Sequence, residues 1–164
     1  MSRFVVPRRY RKLLGIGAAT VFAALLLSGC SLTGGGWMFS TQGSPNKATF
    51  SFNITCVNFL LTGGWVYHDK ASGIDAEGTV PANSLCLPDG APGGTFDQTG
   101  TYTAQHCKSN CTGNVHFVVT DSNQGGKPLK GDHLSIAFTS GPLSGYSNNA
   151  DVQGGNLFVT LNGP

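Results

Sequence analysis

The side chains able to do chemistry are few: four histidines, eight carboxylates and five cysteines in 164 residues. His68-Asp69 is the first pair to consider, with His116 further along, because an imidazole beside a carboxylate is the usual acid–base unit. Adjacent residues on a strand point to opposite faces, so His68 and Asp69 do not readily address one substrate. Asp69 is better placed as the acceptor of a turn after its strand, and His116 falls on the outward face of its own strand. No serine lies in a Gly-x-Ser-x-Gly elbow. No catalytic residue is therefore assigned.

The stretch Asp121-Ser122-Asn123-Gln124-Gly125-Gly126 partly imitates a calcium loop, with Asp132 at the twelfth position. Gly125 stands where an oxygen ligand is needed, and Asp132 is shorter than the usual Glu. Lys127 and Lys130 oppose a cation, and the flanks read as strands. A hairpin loop is expected, with no metal and no cofactor. Asp121, Asn123 and Asp132 then become candidate binding groups, as does Tyr146 in the turn-rich Gly141–Asn149 segment. The proline-bearing 81–94 loop is a third candidate. Trp37, Trp65, Tyr67, Tyr102 and Tyr146 could line a groove, although inward aromatic residues are more often core.

Cys56, Cys86, Cys107 and Cys111 are an even set, without paired Cys-x-x-Cys spacing. In an exported chain this favours disulfides, and the expected pairs are Cys56–Cys86 and Cys107–Cys111. Four cysteines allow three pairings, and a metal site beginning at His106-Cys107 and Cys111 is the alternative.

Strands must position these groups. Ala48, Phe50, Phe52, Ile54 and Cys56 alternate with Thr49, Ser51, Asn53 and Thr55, a period of two with the apolar set inward. Similar stripes run through Trp65 and Tyr67, then Phe96, Gly100 and Tyr102, then Val115, Phe117 and Val119. Leu134, Ile136 and Phe138 form another, and Leu157, Val159 and Leu161 the last. Trp37-Met38-Phe39 reads as a first edge strand, and a short strand is expected at Leu85-Cys86-Leu87. Gly, Asn and Pro punctuate the runs, and no helix is convincing. The fold class is all-β: a small antiparallel β-barrel or β-sandwich of about eight or nine strands, preceded by a signal peptide.

The leader supplies the remaining chemistry. Arg3, Arg8, Arg9, Arg11 and Lys12 precede the uncharged run Leu13–Leu27, the pattern of a secretory signal and short for a membrane span. Leu27-Ser28-Gly29-Cys30 then matches a bacterial lipobox, which resembles the processing site of lipoproteins. The resemblance implies a diacylglyceryl group on the Cys30 thiol, the partner being a membrane. An ordinary secreted protein is the alternative. Residues 1–29 would be removed, 30–36 would form a lipidated, glycine-rich tether of at most about 25 Å, and 37–164 would be one domain. The 135 residues from Cys30 onward carry five Lys against seven Asp and one Glu, a net charge of −3. The basic balance of the whole chain thus resides in the leader, and no nucleic-acid partner is expected.

A second resemblance rests on Thr33-Gly34-Gly35-Gly36-Trp37, Lys47-Ala48-Thr49-Phe50-Ser51-Phe52-Asn53, Tyr67-His68-Asp69 and Gly100-Thr101-Tyr102. It continues in Phe117-Val118-Val119-Thr120-Asp121, in Asp132 before Leu134-Ser135-Ile136, and in Gly154-Gly155-Asn156. Together these resemble the post-COAP domain family of bacterial exported proteins. The resemblance implies a small β-rich envelope domain and no catalytic residue; Gln124-Gly125-Gly126-Lys127-Pro128 departs from the family's Gly-Glu-Pro-Gly turn. The expectation is an exported protein, lipid-anchored in the bacterial cell envelope, that binds a protein, glycan or small ligand without catalysis. A small β-barrel hydrolase inhibitor, or an envelope hydrolase using His68 or His116, is the alternative.

Overall fold

The computed structural model describes residues 31–58, 60–82, 84, 94–122 and 131–160. The leader, Cys30, Cys86, Asn123, the expected 85–87 strand and Leu161 lie outside the described residues.

The described chain is all-β. Its strands are β1 (Ser31–Phe39), β2 (Lys47–Val57), β3 (Leu60–Asp69), β4 (Ile74–Thr79), β5 (Thr95–Ala104), β6 (Thr112–Thr120), β7 (His133–Phe138), β8 (Ser147–Asp151) and β9 (Gly154–Thr160). They form one antiparallel sheet in the order β8-β7-β6-β5-β4-β3-β2-β1-β9. Eight strands meander, and the ninth crosses to the far side of the first. Only Val152 and Gln153 link β8 to β9, although these are opposite edges of the sheet. Three residue steps span no more than about 11 Å. The sheet must therefore curl until its edges approach, which gives a half-barrel and excludes two stacked sheets.

The apolar stripes fill the interior. Phe50, Phe52 and Ile54 of β2, Trp65 and Tyr67 of β3, and Phe117 of β6 are all buried. Phe117 lies 5.4 Å from Phe52 and 6.2 Å from Trp65 between ring centroids, and Tyr102 meets Phe138 edge-on at 4.7 Å. Aromatic contact across the barrel adds to the burial term that holds the strands together. Gly78 makes room for this packing: a Cβ there would sit 2.7 Å from Trp65 Cε2.

Three expectations are corrected. The segment 31–36, read as a tether, is the first part of β1, because backbone pairing on both sides outweighs the flexibility of three consecutive glycines. β1 is for the same reason an interior strand flanked by β2 and β9, and no edge strand. Gly34 has φ of 126°, and a side chain there would run into the Asn156 carbonyl of β9. The Gly141–Asn149 segment is turn only as far as Tyr146; Ser147–Asp151 is strand β8.

Candidate functional site

The outward side chains of β2 to β6 line up in two rows. Ser51, Val66, Glu77, Thr103 and Thr112 are successive register partners, and so are Asn53, Gly64, Thr79 and Thr101. These positions surround an open groove of 620 Å³, with Trp65, Gly78 and Tyr102 completing its lining. Strand spacing sets neighbours in a row about 4.8 Å apart, and successive rows about 7 Å apart. The groove therefore presents the hydroxyls of Ser51, Thr79, Thr101, Thr103 and Thr112 and the Asn53 amide, groups able to donate and to accept, with Gly64 and Val66 between them. Glu77 is its one charged residue, and Gln105 Nε2 donates to Glu77 Oε1 at 3.0 Å.

All four histidines lie beside aspartates. His68 Nδ1 is 2.7 Å from Asp75 Oδ1, and these two are direct cross-strand partners. His106 Nε2 stands 3.8 Å from the other Asp75 oxygen. His116 Nε2 is 2.6 Å from Asp97 Oδ1, and His133 Nδ1 is 2.9 Å from Asp151 Oδ1. The second nitrogen of His133 meets Asn149 Oδ1. His68 thus turns away from Asp69 to the opposite face. Among the described residues no hydrogen bond joins these rings to a serine or cysteine, and no three His, Cys, Asp or Glu side chains converge as a metal site.

Asp69 does accept from the Ser72 backbone N–H at 3.2 Å, as a turn acceptor should. It is also fully buried. Ser40 Oγ reaches both its oxygens at 2.8 and 2.7 Å, and the Tyr146 hydroxyl donates to it at 2.7 Å. Tyr67 and Tyr146 hydroxyls are 2.7 Å apart; since Tyr146 donates to Asp69, Tyr67 donates to Tyr146. Asn148 Nδ2 donates to the Tyr67 oxygen and to the Phe39 carbonyl, each at 3.0 Å. Burial works to raise the Asp69 carboxyl, but donation from Ser40, Tyr146 and Ser72 outweighs it and holds the group below the ordinary carboxylate value. Burial pushes the Tyr67 hydroxyl up to about 12, against the bonds with Tyr146 and Asn148. Tyr146 is raised as well, by burial and then by Tyr67 and the Asp69 carboxylate. Such groups stay in one charge state at neutral pH and bind strands together.

The expected binding loops are placed differently from their sequence reading. Asp132 is buried, 3 % exposed. Its Oδ1 accepts from Ser122 N and Oγ at 3.1 Å, and its Oδ2 from Leu157 N at 3.2 Å. Asp121 Oδ2 accepts from Val159 N at 2.9 Å. Both carboxylates thus serve N–H groups of β9 that have no strand beside them, instead of facing solvent from a loop. Tyr146 is half-buried and points inward.

Trp65, Tyr67 and Tyr102 are core residues, whereas Trp37 lies on the outer face under Lys47 Nζ, 3.9 Å from its ring centroid. Cys107 and Cys111 are bonded to each other, and Cys56 is disulfide-bonded.

Sequence reasoning missed Ser40 and Asn148 in the buried network, and it missed the groove. Period-two alternation marks Thr79, Thr101 and Thr103 as outward, but only strand register brings them together. No protein-family model, curated protein or solved structure matches the chain.

Proposed function

We propose that this protein is a lipid-anchored envelope module that binds a polyhydroxylated, glycan-type ligand in the groove across β2 to β6. The groove carries the reading: its Ser, Thr and Asn side chains supply donors and acceptors in both directions, as sugar hydroxyls require. A protein partner would be expected to find aromatic or arginine anchors. The chain beyond residue 29 contains no arginine, and Val66 is the one apolar side chain in the two outward rows. Hydrolysis of a glycan ordinarily uses two carboxylates flanking the bond. Glu77 alone lines the groove, while Asp75, two residues away on the same face, is engaged by His68 and His106.

Attachment rests on the leader and on Leu27-Ser28-Gly29-Cys30. Cys30→Ser should release the protein from bacterial membranes. Binding is tested by exposing the full chain to immobilised envelope glycans. Thr101→Val with Thr103→Val should weaken retention at least tenfold, and His68→Ala should leave it unchanged. Retention that survives the threonine changes, or a turnover activity abolished at Glu77 or His68, would sink the proposal.

A further inference from the structure

Among the described residues, three large hydrophobic side chains are exposed: Val57 at 51 %, Leu60 at 37 % and Phe158 at 46 %. Scattered exposed apolar residues need no explanation. These three are not scattered. Val57 ends β2 and Leu60 begins β3, so both belong to one hairpin end. Phe158 lies opposite Thr33 on β1. All three sit in the part of the sheet where β1 begins.

Ser31 pairs with Thr55, and Val57 lies two residues further along β2. At strand rise the hairpin end therefore extends about 7 Å past the level of Ser31. Cys30 is bonded directly to Ser31, so their Cα atoms are about 3.8 Å apart. Since β1 starts at Ser31, no free tether separates the domain from Cys30. Residues 31–35, 53–58, 60–64 and 156–160 also contain no Asp, Glu, Lys, Arg or His. This end of β9, β1, β2 and β3 is uncharged and carries the exposed hydrophobics.

We infer that the β2–β3 hairpin end is a second membrane contact, in which Val57 and Leu60 enter the interfacial layer of the bilayer that holds the acylated Cys30. The inference rests on the lipid-anchor reading above. Acyl chains fix the chain to the bilayer, and a strand that begins one residue later cannot hold its neighbouring hairpin clear of the surface. The domain then stands on the membrane in a set orientation.

The test uses full-length protein, exported and processed in bacteria, with Leu60→Trp. It is reconstituted in phosphatidylcholine–phosphatidylglycerol vesicles with brominated or ordinary acyl chains. Trp37 and Trp65 serve as internal controls: Trp65 is buried, and Trp37 lies six residues along β1 from Ser31, about 20 Å away. The expected result is co-flotation with vesicles, with quenching of the introduced tryptophan by the brominated chains and none in the parent protein. Val57→Trp should behave alike and provides an independent reading if one variant folds poorly. Co-flotation without quenching of either variant overturns the hairpin contact and leaves the anchor standing. Failure to float removes the anchor reading, and the hairpin inference with it.

Discussion

The hydroxyl of Tyr146 donates to the carboxylate of Asp69 at 2.7 Å, across 77 positions of sequence. It joins the turn before β8 to the end of β3, two strands far apart in sheet order. Asn148, Tyr67, Tyr146 and Asp69 form one chain of donors ending on a carboxylate that Ser40 and Ser72 also serve. A buried network of this kind stabilises only when each member is satisfied.

Tyr146→Phe should therefore destabilise the protein by about 1.5–3 kcal/mol, the usual range for a hydrogen bond to a charged group. The effect should depend on pH. The folded Asp69 carboxyl lies below its unfolded value of about 3.9. Its contribution is fully present above that value and is lost as pH falls through the folded pKa. Urea unfolding across an acid series should show the gap between parent and Tyr146→Phe closing as pH drops. A gap of constant size would show that the carboxylate is not the acceptor that matters.

The tyrosines make the opposite prediction at high pH. Tyr67 is raised to about 12, and Tyr146 is raised too. The stability from keeping both protonated is fully present below the unfolded value of about 10 and is lost as pH rises through the folded values. Phenolate absorbance near pH 11 should omit both residues while the protein is folded and gain both on unfolding. Tyr67→Phe should reduce only the unfolding step.

Asp132→Ala should leave the Leu157 and Ser122 N–H groups without their acceptor. The expected cost is about 1–3 kcal/mol for the buried Leu157 donor, and less for the half-buried Ser122 donor, which water can reach. Amide exchange at Leu157 should accelerate, while Asp121→Ala should accelerate Val159. Uniform acceleration over all nine strands would mean global destabilisation and no local clasp.

Unreduced tryptic digestion should leave the peptide that ends at Lys108 joined to the one that carries Cys111, because Lys108 lies inside the ring the two cysteines close. Reduction should separate them. Replacing both cysteines by serine should cost about 2 kcal/mol, given a five-residue loop.

Much of the sheet was legible because one face of nearly every strand is apolar, and alternation reports that face directly. β8 escaped because its inward residue is Asn148, which is buried by hydrogen bonds to Tyr67 and Phe39 instead of by hydrophobicity. The start of β1 escaped because Gly34-Gly35-Gly36 has the composition of a linker. Only the approach of the neighbouring backbones, Asn156 at Gly34, Phe50 at Gly35 and Gly154 at Gly36, explains why side chains are unwelcome there. Asp132 and Asp121 read as loop carboxylates since nothing local marks the unpaired N–H groups of β9, some 25 to 38 positions away. The groove was hidden for a related reason: β2, β4, β5 and β6 contribute one or two outward polar residues each, β3 adds only Gly64, Trp65 and Val66, and no single segment carries a motif.

The position of β1 has a mechanical consequence. It is bonded to β2 over nine register pairs and to β9 over seven, and the chain leaves it at Ser31. A pull on the upstream chain runs along the strand axis, while antiparallel backbone bonds lie across it. With the opposing load at the other end of the sheet, both ladders are loaded in shear and many bonds share the force, whereas a pull between Ser31 and its partner Thr160 would unzip β1 from β9 bond by bond. Single-molecule extension between the amino-terminal side and a handle at Gly73, in the turn between β3 and β4, should register one high-force rupture. β1 and β9, the first and last of the described strands, then hold the load together, so the domain resists force only once both are in place.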